Sequence, residues 1–221
     1  RLFNIRVPRP YLDRITPGDP NDPLLRQVLP LEQESETPAG YITDPLQEAN
    51  HTPQQGLIRK YRSRALLMVT GTCAINCRYC FRRHFPYGEH RMSPDGREQA
   101  LDTLRNSPEI NEVIFSGGDP LAVNDQLLAQ WVSAIEAIPH IRRLRIHSRL
   151  PVVIPQRVDD QLITWLGGSR LQKVVVLHIN HAREIDDAVK QAAQRLQAAG
   201  ATLLNESVIL RGVNDSAFFF F

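Results

Sequence analysis

The strongest constraint on the fold is an alternation of strand-like and helix-like segments that starts at residue 65. Apolar runs of strand length, such as ALLMVT at 65–70 and KVVVLHIN at 173–180, alternate with stretches of helical periodicity. The other predicted strands cover 112–116, 143–148 and 201–210, and the predicted helices cover about 94–106, 124–138, 159–167 and 183–199. This alternation is typical of parallel βαβ units and predicts an α/β fold.

The first 56 residues lack the alternation and hold nine of the sixteen prolines. Because proline removes a backbone donor and interrupts helices and sheets, we expect no long regular element there. The sequence thus predicts an irregular N-terminal segment over 1–56 that wraps a core, and one α/β domain over 57–217. Five parallel strands fit either a doubly wound sheet or an arc of a barrel. In both folds the functional groups lie at the C-terminal ends of the strands.

Composition argues against several classes of partner. The 26 basic and 24 acidic side chains leave a formal net charge of +2, which is far from the dense positive charge of nucleic-acid-binding or membrane-surface proteins. No apolar run approaches the roughly 18 residues of a membrane span, and the first residues, RLFNIRVPRP, lack the apolar stretch of a signal peptide. We therefore expect no nucleic-acid partner, no membrane partner and a cytoplasmic location.

All three cysteines lie within eight residues, in the segment CAINCRYC that runs from Cys73 through Cys77 to Cys80. No other cysteine is available to pair with them, so the pattern predicts a metal site in a reducing compartment rather than a disulfide framework. Spacings of three and two residues let one loop place its thiolates on one metal cluster and leave one corner open for chemistry. The alternative is a structural zinc site with His84 as the fourth ligand.

A second motif follows the next predicted strand: Ser116, Gly117, Gly118 and Asp119, followed by a proline. Two adjacent glycines allow close approach of the backbone to a ligand. An isolated GGDP is more often an ordinary turn, but this one lies one βα unit after the cysteine loop. Both motifs are therefore expected at the same edge of the sheet, and the second is a candidate binding turn.

The pattern CxxxCxxC with an aromatic residue before the last cysteine, followed by SGGDP, resembles the radical S-adenosylmethionine (radical SAM) superfamily. Longer segments resemble its lysine 2,3-aminomutase family, and most of all the bacterial branch that makes β-lysine for the modification of elongation factor P. These segments are KYRSRALLMVTGTCAINCRYCFRRHFPY, IFSGGDPL, IPHIRRLRIHSRLPVVIPQRV, HINHAREID and LLNESVILRGVND. The resemblance implies a partial (β/α)6-type barrel, truncated before its last strand and preceded by a proline-rich segment.

The family resemblance also implies a reaction and its cofactors. A [4Fe–4S] cluster and S-adenosylmethionine start radical chemistry on L-lysine held by pyridoxal 5'-phosphate, and the amino group moves from C2 to C3. The implied partners are a flavodoxin- or ferredoxin-like electron donor, a downstream enzyme that transfers β-lysine to elongation factor P, and further copies of the chain in a homo-oligomer.

The resemblance assigns roles to individual residues. It implies that Cys73, Cys77 and Cys80 hold the cluster and that Ser116, Gly117, Gly118 and Asp119 bind the nucleoside. By the same resemblance, the side chains that bind substrate or the pyridoxal phosphate are Arg82 for the substrate α-carboxylate, Asp215 for the distal amino group of lysine, and Arg64 and Arg149 for the cofactor phosphate, with Lys60 or Tyr61 assisting. The residues predicted on the same edge without a role are His147, His178, Asn180 and His181.

One departure from the family concerns lysine. The family's Schiff-base lysine and its second lysine-recognising aspartate fall beyond residue 221, and none of Lys60, Lys173 or Lys190 is placed to substitute for the Schiff-base lysine. We therefore expect this chain to hold the cluster and nucleoside half of the site. Three alternatives stay open: a free lysine 2,3-aminomutase of amino-acid metabolism, a radical SAM enzyme that works without pyridoxal phosphate, and a zinc-binding module.

Overall fold

A computed structural model describes residues 4–36, 38–52, 54–88 and 92–216. It contains one six-stranded sheet in which neighbouring strands follow chain order, β1-β2-β3-β4-β5-β6. The strands are β1 (Leu57–Tyr61), β2 (Arg64–Thr70), β3 (Glu112–Gly117), β4 (Arg143–Ser148), β5 (Gln172–His178) and β6 (Ala201–Glu206). The β1–β2 pair is antiparallel, and every later pair is parallel.

This strand order decides between the two predicted architectures. A doubly wound sheet reverses its strand order at a switch point, whereas here each parallel strand pairs with the next one along the chain. Because such crossovers are right-handed, an unreversed order places the connecting helices on one face and curves the sheet into an arc. Among the described residues β1 and β6 do not pair with each other, so the arc is an open, partial barrel.

Six helices accompany the strands in the described part of the chain. They are α1 (Arg9–Leu12), α2 (Pro94–Arg105), α3 (Asp125–Glu136), α4 (Leu150–Val153), α5 (Asp160–Gly168) and α6 (Asp187–Ala198). The four longer ones start at side chains that accept a backbone N–H, namely Ser93, Asn124, Asp159 and Asp186. Such N-caps satisfy donors that the first helical turn leaves unpaired, and they explain why these helices begin where they do.

The two faces of the sheet differ in polarity. On β4, Leu144 and Ile146 are buried against the core that α3 and α5 complete, whereas Arg143, Arg145 and His147 are only partly buried. Successive side chains of a strand point to opposite faces, so these three polar residues share the concave face of the arc. The helix-covered face forms the core, and the concave face is left for polar groups.

The predicted parallel strands and their helices are confirmed, with changes at their ends. The helix predicted over 183–199 begins only at Asp187, and the strand predicted over 201–210 ends at Glu206. One strand was missed: β1 forms a hairpin with β2, and Leu57 pairs with Leu67. Its sequence LIRKY has two apolar residues, two charged residues and a tyrosine, which is too short a pattern to indicate a strand.

The N-terminal segment contains α1 and three short 3-10 turns, at Leu25–Gln27, Glu32–Ser35 and Glu48–His51, as its prolines predict. Tyr11 and Leu24 from this segment are completely buried in the common core. The segment is therefore an integral part of the folded unit. No helix in the described ranges is long and apolar enough to cross a membrane.

Candidate functional site

The C-terminal ends of the parallel strands surround a cavity of about 540 Å³, a size common for small-molecule sites. Cys73, Cys77 and Cys80 line it from the loop that follows β2, and all three are half-buried free thiols. The turn after β3, from Ser116 to Asp119, lines the same cavity. The structure therefore brings the two sequence motifs together, as expected for the C-terminal ends of parallel strands.

The N-terminal segment holds the backbone of the cysteine loop. Arg6 donates from Nη1 to the carbonyl oxygen of Cys73 at 2.8 Å, and the N–H of Asn76 donates to the carbonyl oxygen of Arg6 at 3.0 Å. The N–H of Arg78 donates to the carbonyl oxygen of Gln27 at 2.9 Å. The loop that carries the thiols thus depends on residues more than fifty positions away in the chain.

The thiols are better suited to a cluster than to one zinc ion. Burial raises the pKa of Cys73 to about 12 and also raises the pKa of Cys80, so metal binding has to displace their protons. Tetrahedral zinc with Zn–S bonds of roughly 2.3 Å needs sulfur atoms about 3.8 Å apart. Across the described residues, the thiols form no group whose ligand atoms all lie within 4.8 Å of one another. His84 is exposed and belongs to no such group.

The two glycines have a structural role that the sequence did not indicate. A Cβ at Gly117 would lie 2.5 Å from the carbonyl oxygen of Thr70, and a Cβ at Gly118 would lie 2.7 Å from the carbonyl carbon of Gly71 and collide with Thr72. The N–H of Gly118 donates to the carbonyl oxygen of Thr70 at 2.8 Å. The glycines therefore permit close packing of β3 against the start of the cysteine loop, and because both also line the cavity, their role beside a ligand stays a prediction.

Asp119 is a buried acceptor that joins the ends of β3 and β4. Its carboxylate accepts the hydroxyl of Ser148 at 2.6 Å and the N–H groups of Leu121, Arg149 and Leu150 at 3.1, 2.8 and 2.9 Å. Burial raises its pKa, and these hydrogen bonds oppose that effect. Four donors occupy the carboxylate, so its direct role here is to fix the edge of the cavity.

Arg82 lines the cavity and is nearly buried. Glu48 from the N-terminal segment binds it in a bidentate pair, with Nε to Oε2 at 2.8 Å and Nη2 to Oε1 at 2.7 Å. Nη1 of Arg82 donates to Ser116 Oγ at 2.9 Å. The hydrogen bonds and charge of Glu48 raise the pKa of Arg82 against the effect of burial, so the guanidinium is held in one orientation and stays charged.

The two predicted phosphate ligands are far apart. Arg64 is the first residue of β2, half-exposed and 3.5 Å from Glu112, whereas Arg149 follows the last residue of β4. Strands of this length put roughly 20 Å between their two ends. Arg149 also directs its guanidinium to Glu184 and Gln27, at 2.9 and 2.7 Å. The prediction that Arg64 and Arg149 bind one phosphate together is therefore wrong.

Asp215 is also placed outside the cavity. It is exposed, and its Oδ1 accepts the N–H of Gly212 at 2.9 Å, which makes it a turn residue. Among the described residues its carboxylate does not line the cavity, so the contact with the distal amino group of a substrate stays a prediction. Its neighbour Asn214 is buried instead and donates to the carbonyl oxygens of Asn180 and Val208, at 2.9 and 3.0 Å.

Two of the histidines without an assigned role lie in the cavity beside a carboxylate that sequence reasoning missed. His147 Nδ1 is 2.8 Å from Glu206 Oε2, and His178 Nε2 is 3.4 Å from the same oxygen. The hydrogen bond with His147 lowers the pKa of Glu206, and burial lowers the pKa of His178 to about 4. Glu206 lies within the strand predicted over 201–210, so its place near the C-terminal ends of the strands could have been inferred from the sequence.

The other missed residues had no local signal. Glu48 and Gln27 lie in the proline-rich segment, Tyr11 in a four-residue helix, and Glu184 in a short turn before α6. Each acts through a buried arginine that is remote in sequence, Arg82 in one case and Arg149 in the others.

The described residues fit a cluster but not a covalently held pyridoxal phosphate. Three thiols face one cavity, and Nε of Arg149 is a buried donor without a partner among the described residues, so an anionic cluster beside it is favourable. The lysines are occupied elsewhere: the Nζ atoms of Lys60, Lys173 and Lys190 lie about 3 Å from Leu46 O, Ser169 O and Asp187 Oδ1. None of the three lysines lines the cavity.

Comparison with known proteins adds independent information. A family model described as the Radical SAM superfamily matches residues 67–218. The chain is 52% identical over 217 residues to an L-lysine 2,3-aminomutase of Escherichia coli K12, covering 98% of this chain and 63% of that protein. It is 52% identical to the enzyme of that name from Haemophilus influenzae, covering 98% and 64%, and 40% identical to that from Clostridium subterminale, covering 93% and 49%. The chain thus spans less than two thirds of the length of these relatives.

Proposed function

The chain belongs to the radical SAM superfamily, whose model matches residues 67–218, and from this premise we propose that it is part of a lysine 2,3-aminomutase. The proposed reaction removes a hydrogen from C3 of L-lysine, moves the amino group from C2 to C3 and returns the hydrogen to C2. The observation that carries the proposal is the cavity in which three free thiols meet the turn from Ser116 to Asp119. Curated relatives named L-lysine 2,3-aminomutase support the choice of substrate.

The proposal assigns a specific role to the cysteines and to the turn that line the cavity. When bound, the [4Fe–4S] cluster and S-adenosylmethionine supply one-electron chemistry that activates a C–H bond. Cys73, Cys77 and Cys80 would hold three irons and leave the fourth open to the nucleoside. The turn from Ser116 to Asp119 would form the wall beside it, with the backbone fixed by the hydrogen bonds of Asp119.

Arg82 is the proposed ligand of the substrate α-carboxylate. A guanidinium has five N–H donors, and in the described residues Glu48 and Ser116 accept three of them. Two donors thus stay available to a carboxylate in the cavity. Glu48 fixes the plane of the guanidinium, so the substrate meets an oriented fork rather than a mobile charge.

We propose pyridoxal phosphate as a cofactor of the whole protein. None of the lysines described here is placed to form the Schiff base with it. Arg64 stays a predicted phosphate ligand; it lies with Arg143 and Arg145 around the buried carboxylate of Glu112, at the opposite edge of the sheet.

A second candidate is a radical SAM enzyme that works without pyridoxal phosphate. Two observations favour it. The guanidinium of Arg149 donates hydrogen bonds to buried Gln27 and Glu184, and Asp215 is an exposed turn residue. Neither residue therefore supports pyridoxal phosphate or lysine at the site.

The proposal also includes partners and a location. Reduction of a cluster at an open cavity requires a low-potential donor, and we propose a flavodoxin- or ferredoxin-like protein. We further propose that the product serves the modification of elongation factor P through a lysyl-transfer enzyme, and that the protein is a homo-oligomer. Free thiols without disulfides suit a reducing compartment, which supports the cytoplasm as its location.

The test is anaerobic incubation of the full-length protein with L-lysine, S-adenosylmethionine, pyridoxal phosphate and dithionite, with β-lysine measured by mass spectrometry. We expect β-lysine from wild type and none from Cys80→Ala. Product that forms equally well without pyridoxal phosphate supports the second candidate. Cleavage of S-adenosylmethionine without any β-lysine contradicts the aminomutase proposal and leaves the superfamily assignment intact.

Elongation factor P provides a separate test of the product's use. The factor is incubated with the lysyl-transfer enzyme and the reaction mixture, and its mass is then measured. An increase that depends on active aminomutase supports the proposed role. Modification with L-α-lysine alone at the same rate contradicts it and favours an enzyme of free amino-acid metabolism.

A further inference from the structure

Arg149 carries a positive charge into the interior directly behind the cysteine loop. Its side chain is 4% exposed, and Nη1 lies 2.8 Å from the Sγ atom of Cys77. On the other side, Nη2 donates to Oε2 of Glu184, which is completely buried. The cation therefore lies between a thiol that would bind iron and a buried carboxylate.

The surroundings of this pair keep water away. The guanidinium carbon of Arg149 lies 5.3 Å from the ring centre of Tyr11 and 5.4 Å from that of Tyr79. Gln27 accepts a further hydrogen bond from Nη2 at 2.7 Å. In such a site of low polarity, a fixed charge acts more strongly on its neighbours than it would at the surface.

The position of these charges bears on the reduction of a cluster bound to Cys77. The cluster gains one electron from an external low-potential reductant, and no bond forms or breaks in that step. Reduction makes the cluster more negative, so a cation and an N–H···S hydrogen bond at a ligand sulfur stabilise the reduced form more than the oxidised form. A nearby carboxylate has the opposite effect.

We propose that Arg149 and Glu184 act as a pair that sets the reduction potential of the cluster, with Arg149 raising the potential and Glu184 lowering it. Arg149 is a positioning residue in this role, since it acts through Cys77. The inference goes beyond the proposed aminomutase function. It depends on the cluster of the superfamily and is independent of the substrate.

The experiment measures the midpoint potential of the full-length protein after anaerobic reconstitution with iron and sulfide, by a dithionite titration followed by electron paramagnetic resonance. We expect Arg149→Met to lower the equilibrium constant for reduction at least tenfold, which is about 59 mV for one electron. Glu184→Gln should shift the potential upward. The double variant should lie between Arg149→Met and wild type, and Arg149→Lys should lie closer to wild type than Arg149→Met.

A matched control removes another mostly buried arginine. Arg157 pairs with Asp125 at 2.8 Å and does not line the cavity, so Arg157→Met should leave the potential unchanged. Iron content and far-ultraviolet circular dichroism are measured for every variant. If Arg149→Met fails to retain a cluster, Glu184→Gln alone decides the question. An unchanged or lower potential in Glu184→Gln, or an unchanged or higher one in Arg149→Met, overturns the proposal.

Discussion

Replacement of Asp119 by asparagine tests whether this carboxylate holds the edge of the cavity together. The best fit keeps the amide oxygen at the place of Oδ2, where it still accepts the N–H groups of Arg149 and Leu150. The amide nitrogen then replaces Oδ1. There the hydroxyl of Ser148 can turn to accept it, but the N–H of Leu121 loses its acceptor.

The magnitude follows from this count of hydrogen bonds. The lost bond is one to a charged group, worth about 1.5–3 kcal/mol, and it leaves a buried donor unpaired. The remaining bonds become neutral and hence weaker, but the loss of the charge also relieves the burial cost that raises the pKa of Asp119. We therefore expect Asp119→Asn to lower the free energy of unfolding by about 1–3 kcal/mol, the cost of the unpaired donor, against a typical total of roughly 5–15 kcal/mol. Asp119→Ala should have a larger effect because all four donors lose the carboxylate, and of the three N–H groups only that of Leu150 keeps a second acceptor, Ser148 Oγ at 3.0 Å.

The assay is urea denaturation at neutral pH, followed by circular dichroism, with the m-values compared to confirm a common unfolded state. Asp159→Asn is the matched control. Asp159 caps α5 with one hydrogen bond to the N–H of Leu162, and asparagine caps a helix about as well as aspartate. The control should therefore change stability by less than about 0.5 kcal/mol. An equally small change in Asp119→Asn would refute the role described for its carboxylate.

Three further predictions concern the surroundings of the thiols. Glu48→Ala should lower the free energy of unfolding in urea by about 3–5 kcal/mol, because its buried arginine partner is left uncompensated; a surface-like loss below 1 kcal/mol would contradict this. Gly118→Ala should reduce the iron retained after reconstitution, whereas Gly168→Ala, with open space around the new Cβ, should not. The hydrogen bond from Arg78 lowers the pKa of Glu34 to about 2, so its stabilisation is complete above pH 4.5 and is lost towards pH 2. Thermal unfolding of Glu34→Gln should therefore depend less on pH in that window, and an unchanged slope would count against it.

The parallel strands and their helices were predictable because their signals are local. The strand β4 reads RLRIHS, with buried Leu144 and Ile146 alternating with partly buried polar residues. Ser93 before Pro94 and Asn124 before Asp125 are recognisable helix starts, and both side chains cap their helices. Because β1 is stabilised by its pairing with β2 rather than by an apolar pattern of its own, no local signal indicated it.

The candidate site was predictable only in part, for a related reason. The cysteines and Ser116 were found because motif spacing and the geometry of parallel sheets determine which loops meet. The roles of Arg149 and Asp215 depend on where a side chain points, and residue type does not contain that information. The guanidinium of Arg149 donates to Glu184, and the carboxylate of Asp215 accepts the N–H of Gly212 in a local turn.

The boundary predicted at residue 56 separates an irregular segment from a regular one, yet it divides the site. Glu48 neutralises Arg82, and Tyr11 and Gln27 accept hydrogen bonds from Arg149. Leaving a buried charge without its partner costs about 3–5 kcal/mol, which is a large share of the stability of an ordinary domain. The strands therefore determine where the thiols and the arginines lie, and the proline-rich segment allows those arginines to stay charged and oriented inside the protein. The site needs both the α/β domain and the proline-rich segment, although only the α/β domain has sequence motifs that indicate a site.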